Sequence, residues 1–259
     1  MDLGIAGRKA IVCASSRGLG RACAQRLAEA GCEVVVNGRD KAKVEATTAE
    51  IAKATGAKVT PVVADVSTPA GQAALFAAMP EPDILVNNNA GPPFRDFKDL
   101  DRAKILDGVT ANMVVAIELI QKVVGPMSSK KFGRIVNITS GSVKMPIGGL
   151  DLSSGARAGL TAFLCGVARQ LAPNGITINF LLPGSFDTDR LNQNMATVAK
   201  NQNISVEQAR QNRAATVPVK RFGYPDEFGA ACAFLCSAHA GYITGQNLLI
   251  DGGVFPGAF

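Results

Sequence analysis

The chain has no tryptophan and only two tyrosines, Tyr224 and Tyr242. Proteins that hold single-stranded nucleic acid stack its bases on aromatic side chains, so this scarcity argues against that class. A single histidine, His239, excludes a multi-histidine metal centre, and any Ser-His-Asp triad would have to use it. It sits in "SAHAGYITG", where it reads as a helix-end residue, and no metal is expected. None of the six cysteines (Cys13, Cys23, Cys32, Cys165, Cys232, Cys236) forms a Cys-x-x-Cys pair. They read as buried free thiols of a reducing compartment, and the cytoplasm is the expected location. No apolar run approaches the roughly 18 residues of a membrane span. The nearest, "MVVAIELI", is interrupted by Glu118. The opening "MDLGIAGRKA" lacks a basic segment followed by an apolar core, so no secretory signal is expected.

What is present suits a compact enzyme-sized fold. The 259 residues are 47% apolar with 27 glycines, enough for a large core with many tight turns. The formal charge of +6 comes from scattered Lys and Arg, not from clusters interleaved with aromatics. A phosphate-bearing small molecule accounts for that excess without a nucleic acid.

Short apolar runs alternate with helical patterns almost to the end. Strands are predicted at residues 9–15, 33–38, 58–65, 83–88, 134–140, 176–183 and 247–253. Between them, segments such as "LGRACAQRLAEAG" and "RAGLTAFLCGVARQLA" place apolar residues at spacings of three and four. Continuous apolar strands joined by helices imply a doubly wound parallel sheet of seven strands, covered on both faces. No linker, repeat or low-complexity stretch divides the chain, so residues 1–259 read as one domain. The least regular part, residues 185–218, is rich in Asn and Gln and follows the sixth strand. At the carboxyl end of such a sheet it could be a lid over a ligand, or a surface excursion of paired helices.

The first strand-to-helix turn carries "IVCASSRGLGRACAQRL", with Ala14, Gly18 and Gly20 between strand and helix. Small residues there let the backbone approach a pyrophosphate, which then meets the outward N–H groups of the helix start. At the end of the second strand, NAD-binding folds place an acid for the ribose 2′-hydroxyl. This chain reads "VVVNGRD", with Arg39 there and Arg17 in the loop approaching the same region. Two guanidinium groups suit a 2′-phosphate, so NADP(H) is favoured over NAD(H). Solvated surface arginines are the plainer alternative, and Asp40 keeps an NAD-type contact open.

Several further stretches occur in a recognisable order: "CASSRGLG", "ADV" at Asp65 and Val66, "LVNNNAG", "TANM" with Asn112, "GRIVNITS" ending at Ser140, "LLPGSFDT", and the terminal "DGG". Along essentially its full length the chain resembles the short-chain dehydrogenase/reductase family, in a branch similar to 3-oxoacyl-[acyl-carrier-protein] reductases. The resemblance implies a Rossmann-type fold and a carbonyl or secondary-alcohol substrate. It implies cofactor contacts from Ala14, Ser16, Arg17, Gly18, Leu19 and Gly20, and an adenine contact at Asp65 and Val66. Asn88, Asn89 and Ala90 are implied as further contacts, with Pro183, Gly184, Phe186 and Thr188 at the nicotinamide end. A homotetramer, paired through the long helices after strands four and five, is also implied.

The chain departs from the family pattern at several points. Cys13-Ala14 replaces Thr-Gly in the loop, and "NNNAG" has one Asn more than the motif. The family's catalytic Asn, Ser, Tyr and Lys would fall here on Asn112, Ser140, Ser153 and Arg157. Thirteen residues after Ser140 stands Ser153, and four further stands Arg157, where Tyr-x-x-x-Lys is expected. An aliphatic hydroxyl is a far weaker acid than a phenol, and arginine is a poor proton relay. Arg157 can still hold the nicotinamide ribose, and Ser140 with a nearby cation can stabilise an oxyanion. Lys144, four residues after Ser140, is a candidate for that cation, for a proton donor or for a substrate carboxylate. Asp151 is a candidate partner for it, and a solvated surface lysine is the alternative. The expectation is an oxidoreductase with an altered proton-donor set. A catalytically silent NADP(H)-binding protein and a different reaction on the same scaffold stand beside it.

Overall fold

The structure, a computed structural model, describes residues 2–257. Seven strands form its sheet: β1 (Lys9–Val12), β2 (Glu33–Gly38), β3 (Val59–Val63), β4 (Ile84–Asn87), β5 (Gly133–Ile138), β6 (Ile176–Pro183) and β7 (Asn247–Ile250). Their order is β3-β2-β1-β4-β5-β6-β7, and every neighbouring pair is parallel. The predicted strand positions all hold, but β1, β3, β4, β5 and β7 end earlier than expected, at Val12, Val63, Asn87, Ile138 and Ile250. The residues beyond them leave the ladder to form the loops at its carboxyl end.

Period-two alternation along the central strands sorts side chains to two cores. Ala10, Val12, Val34 and Val36 pack with helices α1 (Gly18–Glu29), α2 (Lys41–Thr55) and α9 (Pro225–Cys236). Ile11, Cys13, Val35 and Leu85 face the other way, onto α3 (Pro69–Ala78), α5 (Val115–Lys130) and α6 (Asp151–Leu171). Because β1 has β2 on one side and β4 on the other, the chain reverses its direction across the sheet there. That reversal opens a crevice above the carboxyl ends of β1 and β4, where doubly wound sheets bind ligands.

Five of the six cysteines are buried and all are unpaired. Burial pushes the Cys13 and Cys32 thiols up to about 12, so both are packing groups and not nucleophiles. His239 lies in the short turn Ala238–Ala240, its Nε2 2.9 Å from the Asp2 carbonyl. Among the described residues no helix is long and apolar enough to cross a membrane.

The segment 185–218 is more regular than its composition suggests. It folds as α7 (Asp189–Gln202) and α8 (Val206–Ala215), preceded in the chain by α4 (Arg102–Val109). Thr188 and Ser205 cap the two helices by accepting from Leu191 N and Gln208 N, and Asn203 takes a left-handed turn between them. Met195, Ala199 and Ala209 supply the buried contacts, so the Asn and Gln residues simply cover the solvent faces.

Candidate active site

The floor of the crevice is the loop after β1. Ala14 takes φ 45°, a left-handed conformation that glycine would adopt more easily. Gly20 has no such freedom to spare for a side chain: a Cβ there would lie 2.4 Å from the Ala14 carbonyl and 2.9 Å from Asn88 Nδ2. The start of α1 at Arg17 has no side-chain cap and no acid in its first turn. Its leading N–H groups are thus left for an anion. Asn88 Nδ2 donates to the Ala14 carbonyl at 3.2 Å and ties the loop after β4 to this floor. Asn89 donates to Ser67 Oγ and the Ala111 carbonyl, both at 3.0 Å, and accepts from Ala90 N.

At the end of β2, Ser16 Oγ lies 2.7 Å from where a Gly38 Cβ would stand, so the two loops are in contact. Arg17 and Arg39 are exposed beside them, and the Arg39 guanidinium is 3.6 Å from the Asp65 carboxylate. Asp40 is occupied otherwise. Its Oδ1 caps α2 by accepting from Lys43 N, and its other oxygen pairs with Lys43 Nζ at 2.9 Å. These contacts with Lys43 hold its carboxyl below the usual carboxylate range. Val66 is buried behind Asp65.

The other wall comes from β5, α6 and the turn between α4 and α5. Ser140 caps the short turn Gly141–Val143, its Oγ accepting from Ser142 N at 3.1 Å. Ser153 and Arg157 lie one helical turn apart on the buried face of α6. Arg157 Nε donates to Ser153 Oγ at 3.2 Å, and Nη1 donates to the Ile138 carbonyl at 2.7 Å. Only 7% of Arg157 is exposed, and no carboxylate pairs with it among the described residues. Burial, with a smaller repulsion from Arg190, pulls the guanidinium down to about 10.

Asn112 sits in a π-helical turn, Thr110–Val114, whose extra residue per turn aims its side chain inward. Its Nδ2 donates to the Gly108 carbonyl at 3.3 Å, while Oδ1 is buried without a partner. A cavity of about 20 Å³ adjoins it, lined among others by Asn87, Asn88, Asn137 and Arg157. That is room for one water, and two orphaned acceptors, Asn87 Oδ1 and Asn112 Oδ1, are there to bind it. The third asparagine of "NNNAG" is thereby explained: Asn87 ends β4 and donates to Asn137 Oδ1 across to β5 at 2.9 Å.

Asn88, Asn89, Asn112 and Arg157 line one small cavity, Ser153 is bonded to Arg157, and Ser140 follows Ile138 by two residues. Lys144 stands apart. Its Nζ lies 5.5 Å above the Phe255 ring, and Asp151 accepts from Gly149 N instead of pairing with it. Pro183 and Gly184 pass close to β7, where a Gly184 Cβ would meet Asp251 at 2.7 Å. Phe186 is buried edge-on against Phe228, and Thr188 begins α7. One residue missed by sequence reasoning is Arg190, whose guanidinium lies 3.0 Å from the position of a Gly91 Cβ. Its only sequence signal is a basic residue in the first turn of a helix. An open groove of about 630 Å³ between Phe94–Phe97 and Gly148–Asp151 borders the start of α6.

A parallel doubly wound sheet with an uncapped helix start above its reversal point, faced by a polar wall, defines a dinucleotide-binding α/β protein. A family model described as "Enoyl-(Acyl carrier protein) reductase" matches residues 13–255. The NADPH-dependent reductase BacG of Bacillus subtilis (strain 168) is 34% identical, across 95% of this chain and 97% of its own length. The 3-oxoacyl-[acyl-carrier-protein] reductase FabG of Aquifex aeolicus (strain VF5) is 30% identical, across 98% of this chain and all of its own. L-sorbose reductase from Gluconobacter frateurii, solved with NADPH and L-sorbose, superposes with a TM-score of 0.94 at 26% identity, covering 99% of this chain and 100% of that one. The chain belongs to the short-chain dehydrogenase/reductase family, and its relatives are oxidoreductases.

Proposed function

We propose that the chain is an NADP(H)-dependent oxidoreductase that interconverts a carbonyl and a secondary alcohol, in the manner of 3-oxoacyl reductases. Ser153 and Arg157 serve in it where Tyr-x-x-x-Lys would stand. The observation that carries this reading is the buried Ser153–Arg157 pair, a guanidinium held in the crevice wall with no carboxylate paired to it among the described residues. Residues 1–259 act as one dinucleotide-binding domain, with 185–218 as its lid.

The fit for the dinucleotide is good. The uncapped α1 start leaves N–H donors for a diphosphate, and Gly18, Leu19 and Gly20 bring the backbone up to it. Ser16, Arg17 and Arg39 surround the place for a 2′-phosphate, while Asp40 is spent on capping α2. The NADPH dependence of BacG and the NADPH complex of L-sorbose reductase support the same choice. Asp65 and Val66 border the adenine, Asn88, Asn89 and Ala90 the central portion, and Pro183, Gly184, Phe186 and Thr188 the nicotinamide end. Bound NADPH supplies the hydride; the rest falls to the chain.

Ser140 Oγ already accepts from Ser142 N, so its own proton is free to hold a substrate oxygen. Ser153 Oγ likewise accepts from Arg157 Nε, which leaves its O–H to point at the same oxygen. The fixed charge of Arg157 in a dry wall lowers the energy of an alkoxide there. The one-water cavity between Asn112, Asn87 and Arg157 reaches Ser153 only through the Arg157 guanidinium that bonds to it. Lys144, whose Nζ lies over the Phe255 ring, is kept as a second candidate cation for a substrate carboxylate.

A specific observation also favours a second reading, a catalytically silent NADP(H)-binding protein. No phenol reaches the crevice: Tyr224 and Tyr242 are both exposed elsewhere. In either reading we place the protein in the cytoplasm, given its unpaired cysteines, as a homotetramer. Exposed Ile105, Leu106, Val114 and Phe163 on α4 to α6 offer the apolar surface for that pairing. Fluorescence titration with NADPH and NADH tests the cofactor, and equal or absent binding refutes it. Single-turnover NADPH oxidation across ketones and 3-oxoacyl thioesters tests the reaction. Silence in the wild type, with activity gained in the double substitution Ser153→Tyr/Arg157→Lys, decides for the second reading.

A further inference from the structure

The first turn of α7 carries a charge of the wrong sign for its place. Helix starts favour acids, because the macrodipole is positive there. Behind the Thr188 cap, however, α7 opens with Asp189 and then Arg190. The Arg190 guanidinium is folded across the Asn88–Gly91 loop, with Nη1 and Nη2 at 3.0 and 3.1 Å from the position of a Gly91 Cβ. Glycine at 91 is what leaves it the room.

Among the described residues no carboxylate pairs with Arg190. Asp189 beside it makes no ion pair with it, and Asp187, before the cap, already receives Arg210 Nη2 on both oxygens at 3.1 Å. Instead Arg190 repels a second cation, the buried Arg157, whose Nη2 has no hydrogen bond among the described residues. The same volume is faced by two helix starts. The Thr188 methyl comes within 3.9 Å of the Gly18 Cβ position, so the starts of α7 and of the uncapped α1 lie side by side in contact. Two adjacent helix starts and two guanidinium groups, neither paired with a carboxylate among the described residues, describe a site for a multiply charged oxyanion.

We propose that Arg190 is a cofactor-binding residue that pairs with the diphosphate of the dinucleotide and clasps it against α1 from the α7 side. This rests on the dinucleotide-binding reading above and adds to it a residue and a consequence. Since Arg190 belongs to α7, the diphosphate also pins the segment 185–218 to the crevice. An oxyanion could reach Arg190 from a second source, a carboxylate on the substrate, and the experiment separates the two.

Wild type, R190Q and R190K are titrated with three ligands: NADPH, 2′-phosphoadenosine 5′-diphosphoribose and 2′,5′-ADP. The second keeps the diphosphate without nicotinamide, and the third carries a single 5′-phosphate. Arg190 is exposed and bonds to no other side chain, so the variants fold. In R190Q, affinity for the first two ligands falls by the same factor, roughly ten- to a hundredfold. The loss for 2′,5′-ADP is much smaller, and R190K recovers part of the affinity. In hydrogen exchange, NADPH protects the Asp189–Gln202 amides of the wild type and not those of R190Q.

R190Q that binds all three ligands like the wild type overturns the proposal, as does an equal loss for 2′,5′-ADP. Unchanged cofactor binding, with pyruvate but not methyl pyruvate losing affinity for the NADPH complex, assigns Arg190 to a substrate carboxylate and also overturns it. A wild type that binds none of the three ligands overturns this proposal and the dinucleotide-binding reading together.

Discussion

Replacing Arg157 by methionine separates what this residue does for folding from what it does for chemistry. The folded state carries its charge at a loss, since burial brings the guanidinium down to about 10 from an ordinary value above 12. At about 1.4 kcal/mol per pKa unit, that is a penalty of about 3 kcal/mol at neutral pH. Against it stand two hydrogen bonds, to the Ile138 carbonyl at 2.7 Å and to Ser153 Oγ at 3.2 Å. A bond from a charged donor contributes about 1.5–3 kcal/mol and a weaker one about 0.5–1 kcal/mol, so losing both costs about 2–4 kcal/mol. The two sides nearly cancel. R157M is therefore expected to lie within about 2 kcal/mol of the wild type in urea denaturation at pH 7, a Tm difference of about 5 °C or less. Single-turnover oxidation of NADPH, in contrast, should fall by about a hundredfold or more, because a preorganised charge at the alkoxide is lost. The pH dependence has a fixed direction. Above about pH 10 the unfolded chain holds this proton more tightly than the folded one, so wild-type stability rises relative to R157M as pH passes through that value. A loss above about 4 kcal/mol at pH 7, the scale of a broken buried ion pair, would refute the reasoning, as would undiminished turnover.

Ala14→Gly removes a left-handed strain of about 1–2 kcal/mol and adds about 0.5–1 kcal/mol of unfolded-state entropy. The variant should melt at or slightly above the wild-type temperature, and a clear drop in Tm would show that the φ of 45° carries no strain. Arg39→Glu should leave stability within about 0.5 kcal/mol, since the side chain is 72% exposed and its single ion pair is long at 3.6 Å. Its NADPH affinity should drop by roughly tenfold or more while NADH binding is unchanged or improved, read by the same fluorescence titration. Loss of both cofactors alike would place Arg39 outside a 2′-phosphate site.

Alternation of apolar runs and helical patterns was enough to place all seven strands and to mark the small-residue turn after the first, because both are governed by local rules. A strand buried on two faces must be apolar throughout, and a backbone that approaches a ligand must have small residues. The Asn-, Gln-rich stretch at 185–218 was harder to read. Its helices are held by two caps and three buried side chains, too few to produce a clear period. The third asparagine of "NNNAG" also gained its meaning only when β4 was set beside β5 and Asn87 met Asn137.

Sequence by itself determined the fold and the family, and it singled out the glycine-rich loop and the two positions, Ser153 and Arg157, to which we assign the chemistry. It could not say what those two positions see. That Arg157 is buried, that it reaches the Ile138 carbonyl and Ser153, and that no carboxylate answers it among the described residues are matters of distance between α6, β5 and the loops. Arg190 makes the same point from the other wall, since only folding brings α7 over Gly91. Charge is written into the chain residue by residue. Whether it is neutralised, hydrated or left waiting for an anion depends on neighbours far away in sequence, and so on tertiary structure alone.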